Sequence, residues 1–569
     1  MSENRLIKNR YPINDPKFFD SIQPADLRLI LGAECNHNER DITNIDLFAI
    51  NDRIYIFNHY KGYLVEYDYE KDFQKVVNGK ASLLDLTGFA MDSEHYYFCY
   101  NDALLIYDKE LYDYEKIPLD FTPDSFTYDF KTKTFYFYIR EKFRIYAVNI
   151  QNNLPQTLES YQIEGIGFKS FSISEGKLWH TDYTNHMIYC SDIQTGKTML
   201  AIPSPYLRPT GICHINGKTV LSFEGRTFIH HKKRAKIETV VGERYRKPFL
   251  SELRYNVSEN GNKKFVTSNK FLVEFIYTLE CRVDYEDDIF ENLFVRIALP
   301  YTNDRQKLIA VTPIGENFKI IDDNNIKMAE FRPGYIDCKT SMIIGYKALV
   351  EMSGIKYLIE NKVFTKDMID YNAPDIIQYL ANDEDLDMDH SVVKEFAVIG
   401  DTTDIIETVY KIRQKVYNHL TYDYELVTSS SPAEVIQYGS TGCGGYAKLI
   451  LACLRLNGIP ARDSGKYSLQ QETHAQVENE TIIFNHSWTE FYLPTVGWIP
   501  LESSRDSFTF NSRNKENGWL GIDWTHLECL TNSNRNFEYA YEGKPENRVS
   551  LGGLLENNPS FRIIGEIID

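Results

Sequence analysis

The chain has 569 residues, 43% hydrophobic and 25% charged, with a formal net charge of −19. This is the composition of a core-forming protein and excludes a disordered or fibrous one. The acidic balance argues against a general nucleic-acid binder, which needs a basic surface to displace counterions.

Forty Tyr and 33 Phe favour β-structure. The N-terminal stretch MSENRLIKNRYPINDPKFFD has no apolar segment of the secretory kind. No run approaches the length of a membrane span, so no membrane partner is expected. The nine cysteines are scattered and form no C-x-x-C. They predict neither a disulfide framework nor a zinc knuckle, and point to a reducing cytoplasm.

The first 240 or so residues carry a degenerate repeat of about 40 residues. One element reads NDRIYIF at Asn51, SEHYYFC at Ser93, KTKTFYFY at Lys131, EGKLWHT at Glu175 and NGKTVLSF at Asn216. A second β-rich run follows each, ending at Asp68, Asp108, Asn149, Asp192 and His231. Repeated strand pairs at this spacing predict β-propeller-like blades, about five, over residues 1–245. The segment from Asp26 to Cys35 supplies a candidate closing strand. The basic run from His230 to Lys236 reads as an exposed turn after a strand.

Residues 246–394 change pattern to alternating runs of strand length separated by Asn, Asp, Gly and Pro, which predicts a β-sandwich-like domain. The acidic stretch from Asp383 to Asp389 lacks the EF-hand glycine and terminal Glu, so it reads as a solvated linker and no metal is expected. A helix follows. Asp401 or Thr402 is a candidate N-cap, and Ile405, Val409, Ile412 and Val416 recur at helical spacing.

Residues 395–569 hold the most informative segment. Glycines surround Cys443, then an apolar helix runs to Gly458 and Pro460. Only Lys448 and Arg455 make a polar stripe on it, which predicts a helix buried nearly all round. A thiol at the start of such a helix meets unpaired N–H groups and the positive end of the dipole, both of which favour thiolate. Downstream, NHSWTEFYLPTVGWIPLESS reads as two strands around a turn holding Pro494 and Gly497. His486, Trp488, Glu490 and Tyr492 share one face of the first strand. A loop of odd length would put Glu502 on the face of His486.

Together, Gly-Cys-Gly-Gly-Tyr-Ala from Gly442, GIPAR from Gly458, His-x-Trp-x-Glu-x-Tyr-Leu-Pro from His486 and Gly-Trp-x-Pro from Gly497 resemble the bacterial transglutaminase-like superfamily. The resemblance implies a papain-like α+β catalytic domain with Cys443 as nucleophile, His486 as general base and Glu502 as third triad member. Two departures stand out. The family usually has Asp where Glu502 stands, which leaves Asp506 as an alternative, and often has Gly at the position of Thr441. Gln437 and the backbone N–H of Cys443 are candidate oxyanion donors, and His474 is a rival base. The expected activity is hydrolysis of an amide or peptide bond through a Cys thioester, without a cofactor. Its substrate would be a protein or peptide, recruited by the propeller face. Acyl transfer to an amine and a non-catalytic propeller scaffold are the alternatives.

Overall fold

The computed structural model describes residues 5–6, 45–59, 62–69, 71, 73–79, 81–165, 167–232, 239–281, 289–323, 326–337, 342–359, 362–382, 384–423, 431–469, 483–504, 518–530, 537–549 and 555–568. The chain forms two compact units, one built from Asp15–Asn256 and the other from Val257–Asp569. The protein is β-rich, and no helix among the described residues is long and apolar enough to cross a membrane.

The 40-residue repeat of the first unit is five consecutive antiparallel sheets. Four have four strands each, beginning at Ile45, Thr87, Ser125 and Phe168. The fifth, from Pro209, has three described strands. Aromatic side chains fill the spaces between neighbouring sheets. Phe57 meets Phe98 with ring centroids 5.0 Å apart. Tyr97 meets Tyr128 at 5.1 Å, Tyr138 stacks on Phe168 at 3.8 Å, and Trp179 meets His214 at 5.3 Å. Cys213, Ile215 and Val220 of the fifth sheet share a core with Ile45, Leu47 and Ile54 of the first, so the series of contacts closes on itself.

The Asp residues that end the repeats have a local cause. Asp68, Asp108 and Asp192 accept backbone N–H groups from Lys71, Glu110 and Gln194 at 3.1 Å each, fixing the turn after the strand. Residues 7–44 and 233–238 lie outside the described residues, and with them the candidate closing strand and most of the basic run.

In the second unit two sheets come first. One has the strand order β12–β1–β6–β3, from Leu555–Ile568 (β12), Lys263–Cys281 (β1), Met342–Tyr357 (β6) and Gln306–Ile314 (β3). The other has the order β4–β5–β2–β11, from Lys319–Asp323 (β4), Ile326–Ile336 (β5), Phe290–Ala298 (β2) and Glu538–Glu542 (β11). Alternation along β1 buries Phe271, Val273, Phe275, Tyr277, Leu279 and Cys281 and leaves the residues between them half-buried. The fully buried Tyr346 donates its hydroxyl to Ala298 O at 2.7 Å, joining the two sheets.

After a single helical turn at Pro374–Ile377, four longer helices follow among the described residues: Ser391–Ala397 (α1), Ile405–His419 (α2), Pro432–Tyr438 (α3) and Cys443–Leu456 (α4). The last sheet has the order β9–β8–β7–β10, from Gly497–Leu501 (β9), Ile483–Leu493 (β8), Ala461–Leu469 (β7) and His526–Leu530 (β10). Its packing joins that of the sandwich sheets, since Phe275 lies 5.4 Å from Tyr467 and Phe271 stacks on Trp524 at 4.1 Å.

Two local expectations change. The N-cap of α2 is Asp404, which accepts from Ile406 N at 2.7 Å, and neither Asp401 nor Thr402. Thr365 and Asp404 form an isolated β-bridge, so the chain stays extended up to the cap. The acidic stretch is no solvated linker. Asp385 lies 3.3 Å from Lys448, Leu386 is fully buried, and Asp387 accepts from Ser431 and from Ala433 N at the start of α3.

Replacing Tyr346 by Phe removes the buried hydrogen bond to Ala298 O, and should cost about 1–3 kcal/mol in urea-monitored unfolding of the second unit.

Candidate functional site

Cys443 is the first residue of α4, whose N-cap is Gly442. The first N–H groups of a helix have no partner inside it, so they face whatever stands at its start. Nothing lies within 4 Å of a Cβ placed on Gly444. At Gly445 the same atom would fall 2.0 Å from Thr441 Oγ1, so the departure at Thr441 is matched by a residue without a side chain.

The helix is buried nearly all round, as expected; of its two polar residues Lys448 is half-buried and Arg455 is buried. Arg455 donates Nε to Ala461 O at 3.0 Å and Nη1 to Ala381 O at 2.6 Å. The helix ends as expected, with Gly458 left-handed at φ 75°. Gly458 N donates to Arg455 O at 2.9 Å and Ile459 N to Leu454 O at 3.0 Å, which is the Schellman pattern.

His486 lies on β8. The β8–β9 connection is the three residues Pro494, Thr495 and Val496, because Leu493 pairs with Gly497. Thr495 at φ 65° and Gly497 at φ 110° turn the chain. An odd loop keeps parity, so Glu490 pairs with Pro500 and even-numbered residues of both strands share a face. Glu502, one residue past β9, therefore lies with His486. Its Oε2 is 2.5 Å from His486 Nε2. Its Oε1 accepts from Ser504 N at 2.8 Å and Ser504 Oγ at 2.6 Å. With Nε2 engaged by Glu502, Nδ1 is the ring nitrogen left for Cys443. Cys443 Sγ also lies 3.9 Å from Asn485 O.

These contacts set the charges. Burial alone would hold the His486 imidazolium down. The Glu502 carboxylate and the hydrogen bonds to Cys443 and Glu502 outweigh it, raising His486 to about 9. Burial likewise opposes a Cys443 thiolate, but the hydrogen bond and charge of His486 and the Ser487 N–H bring the thiol below its ordinary value. Burial pushes Cys453, on the same helix, up to about 12. The seven described cysteines are all unbridged, and Cys443 is the one among them that is only half-buried.

The surroundings hold further charges. Arg462 donates to Glu490 Oε2 at 2.7 Å from Nε and 2.6 Å from Nη2. Arg305 Nη2 lies 3.6 Å from Glu528, whose burial raises its carboxyl above the ordinary carboxylate range. Ser487 Oγ donates to Asp463 at 2.6 Å, and burial raises that carboxyl to about 6. The structure thus brings Cys443, His486 and Glu502 together. Gln437 sits exposed on α3. His474 and Asp506 lie outside the described residues.

Sequence reading missed His526, whose ring centroid is 5.2 Å from that of His486. No local pattern marks it, because sheet order alone carries β10 to the edge of β7.

Residues 394–503 match the model of the transglutaminase-like superfamily, so the chain carries a transglutaminase-like domain there. No curated protein sequence matches the chain. Among solved structures, a candidate cysteine protease from Cytophaga hutchinsonii is 14% identical. That match covers 52% of this chain and 99% of the other at a TM-score of 0.34. Glutaminyl cyclase from Myxococcus xanthus is 12% identical, covering 32% of this chain and 86% of the other at 0.26. Regucalcin from Agrobacterium tumefaciens is 11% identical, covering 33% and 80% at 0.23. Likenesses at these scores carry no inference about activity.

A Cβ on Gly465, at φ 133°, would lie 2.6 Å from His486 O and 2.9 Å from the Trp488 ring. Gly465→Ala should therefore destabilise the sheet by about 1–3 kcal/mol in denaturant unfolding, and slow modification of Cys443 as the His486 backbone shifts.

Proposed function

We propose that the transglutaminase-like domain at residues 394–503 is a cysteine hydrolase acting on an amide or peptide bond. Cys443 is its nucleophile, His486 its general base and acid, and Glu502 its third triad member. The carrying observation is the Cys443–His486–Glu502 chain, in which His486 is raised to about 9 and Cys443 lowered.

The Cys443 thiolate attacks the carbonyl carbon, and the carbonyl electrons move to oxygen. The unpaired N–H of Cys443 at the helix start is placed to receive that oxyanion. Gln437 is the weaker candidate for this role. As the tetrahedral species collapses, the His486 imidazolium gives its proton to the leaving amine, and a Cys443 thioester remains. His486, now neutral, takes a proton from water as the water adds to the thioester. Collapse releases acid and restores the thiolate–imidazolium pair. Glu502 holds the imidazole in the orientation and tautomer this exchange requires. Were an amine to replace the water, the same thioester would give acyl transfer.

We further read residues 1–245 as a propeller-like platform that recruits a protein or peptide, 246–394 as sandwich-like with its sheets completed by β11 and β12, and the rest of 395–569 as catalytic, in a cytoplasmic protein. The closure of the five-sheet series supports the first of these.

Alkylation by iodoacetamide tests the catalytic reading. Burial pushes Cys453 up to about 12 while the Cys443 thiol lies below its ordinary value, so Cys443 carries by far the larger thiolate fraction at neutral pH. The weaker nucleophilicity of a low-pKa thiolate offsets part of that advantage and leaves Cys443 the faster to label. Equal labelling would favour a non-catalytic scaffold. The pH profile for Cys443 should climb in two steps, the upper near pH 9 where His486 loses its proton. In Glu502→Gln the upper step should move to lower pH by about 1–3 units, because the charge that holds the imidazolium is gone. A step that stays in place would remove Glu502 from the triad.

A further inference from the structure

The Glu502 carboxylate has a second imidazole beside it. His526, the first residue of β10 and 1% exposed, places Nε2 3.9 Å from Glu502 Oε2, which is ion-pair distance and beyond a hydrogen bond. Its Nδ1 is 2.8 Å from Asp523 Oδ1. Asp523 is itself fixed, accepting from Thr525 N at 2.9 Å. The ring stands edge-on to Trp488 at 5.3 Å and 88°. Its backbone carbonyl accepts from Arg305 Nη1 at 2.7 Å. The ring is therefore held through Nδ1 and against Trp488, and both of its nitrogens face carboxylates. Asp523 stands to His526 as Glu502 stands to His486.

Resting on the catalytic reading above, we propose that His526 is a positioning residue for the same reaction. With Nε2 facing Oε2 it holds the Glu502 carboxylate turned toward His486, and Asp523 in turn sets the ring that does so. Glu502 needs such help because Glu has one more rotatable bond than the Asp usual at this position. Ser504 restrains one carboxylate oxygen. The oxygen that meets His486 is the one His526 faces. The charged and titratable groups around the ring are Asp523 before it, Glu502 and His486 from the β8–β9 hairpin, Arg305 across the buried interface, and Glu528 two residues along β10.

The test is the pH profile of Cys443 alkylation by iodoacetamide in the full chain. His526→Phe keeps a ring against Trp488 and removes both nitrogens. The upper step, which reports the His486 proton, should fall by about one unit as Glu502 turns away. His526→Gln puts an amide N–H near the place of Nε2, and should keep the step within a few tenths of wild type. Asp523→Asn should move it in the same direction as the Phe variant, by less. If circular dichroism shows His526→Phe unfolded, His526→Asn takes its place, because its shorter amide reaches the position of Nδ1 and leaves Glu502 unheld. An upper step unchanged or raised in the Phe or Asn variant would overturn the proposal. So would Gln behaving like Phe or Asn, which would mean that the ring serves packing alone. If wild-type Cys443 labels no faster than Cys453, the catalytic reading falls and this proposal with it. If wild type shows both steps and the His526 variants copy it, this proposal alone falls.

Discussion

The chemistry of the second unit depends on one contact, the Glu502 carboxylate against Nε2 of His486. Without it, burial would leave His486 neutral at ordinary pH, and a neutral imidazole would give the Cys443 thiol no charge to pair with. The contact is a matter of parity. A three-residue loop between β8 and β9 puts even-numbered residues of both strands on one face. A single insertion or deletion there would send Glu502 to the opposite face and keep the sheet. Glycine 465 across β7 lets the two backbones approach closely enough for His486 to sit where it does.

Around this contact the unit keeps several charges out of water. Arg462 with Glu490 and Arg305 with Glu528 lie within the packed layers between the sheets. Pairs of this kind add little net stability, because desolvation offsets attraction. Breaking one by removing a single partner costs about 3–5 kcal/mol. Their effect is to fix register. Arg305, beside the sandwich strand β3, donates to the backbone of His526 on β10, and Gln306 Nε2 donates to Glu528 O at 2.8 Å. These two contacts orient the strand that faces the Glu502 carboxylate.

Much of this was legible in the sequence where the signal is local. The buried helix after Cys443, its glycine stop and the strand alternation around His486 follow from spacing alone. So do the Asp residues that close three of the five repeats, because an Asx turn is set by a few neighbouring residues. The cap at Asp404 lies two or three residues beyond the candidates Thr402 and Asp401, because a long-range bridge to Thr365 decides where the chain leaves the extended state. The acidic run near Asp385 looked solvated because Lys448 and Ser431, which engage it, are more than 40 residues away. His526, and the pairing of β12 with β1, arise from the order of strands in a sheet, which no short window contains.

The central claim is that Cys443 and His486 rest as a thiolate–imidazolium pair made possible by Glu502. Its most direct test is the ultraviolet absorbance of the thiolate, recorded against pH as the difference between the wild-type chain and Cys443→Ala. The pair predicts a thiolate signal already present well below the free-thiol value of about 8.5, with a second inflection near pH 9 as the imidazolium is lost. A single titration at or above the free-thiol value, unchanged by replacing His486 with Ala, would contradict it.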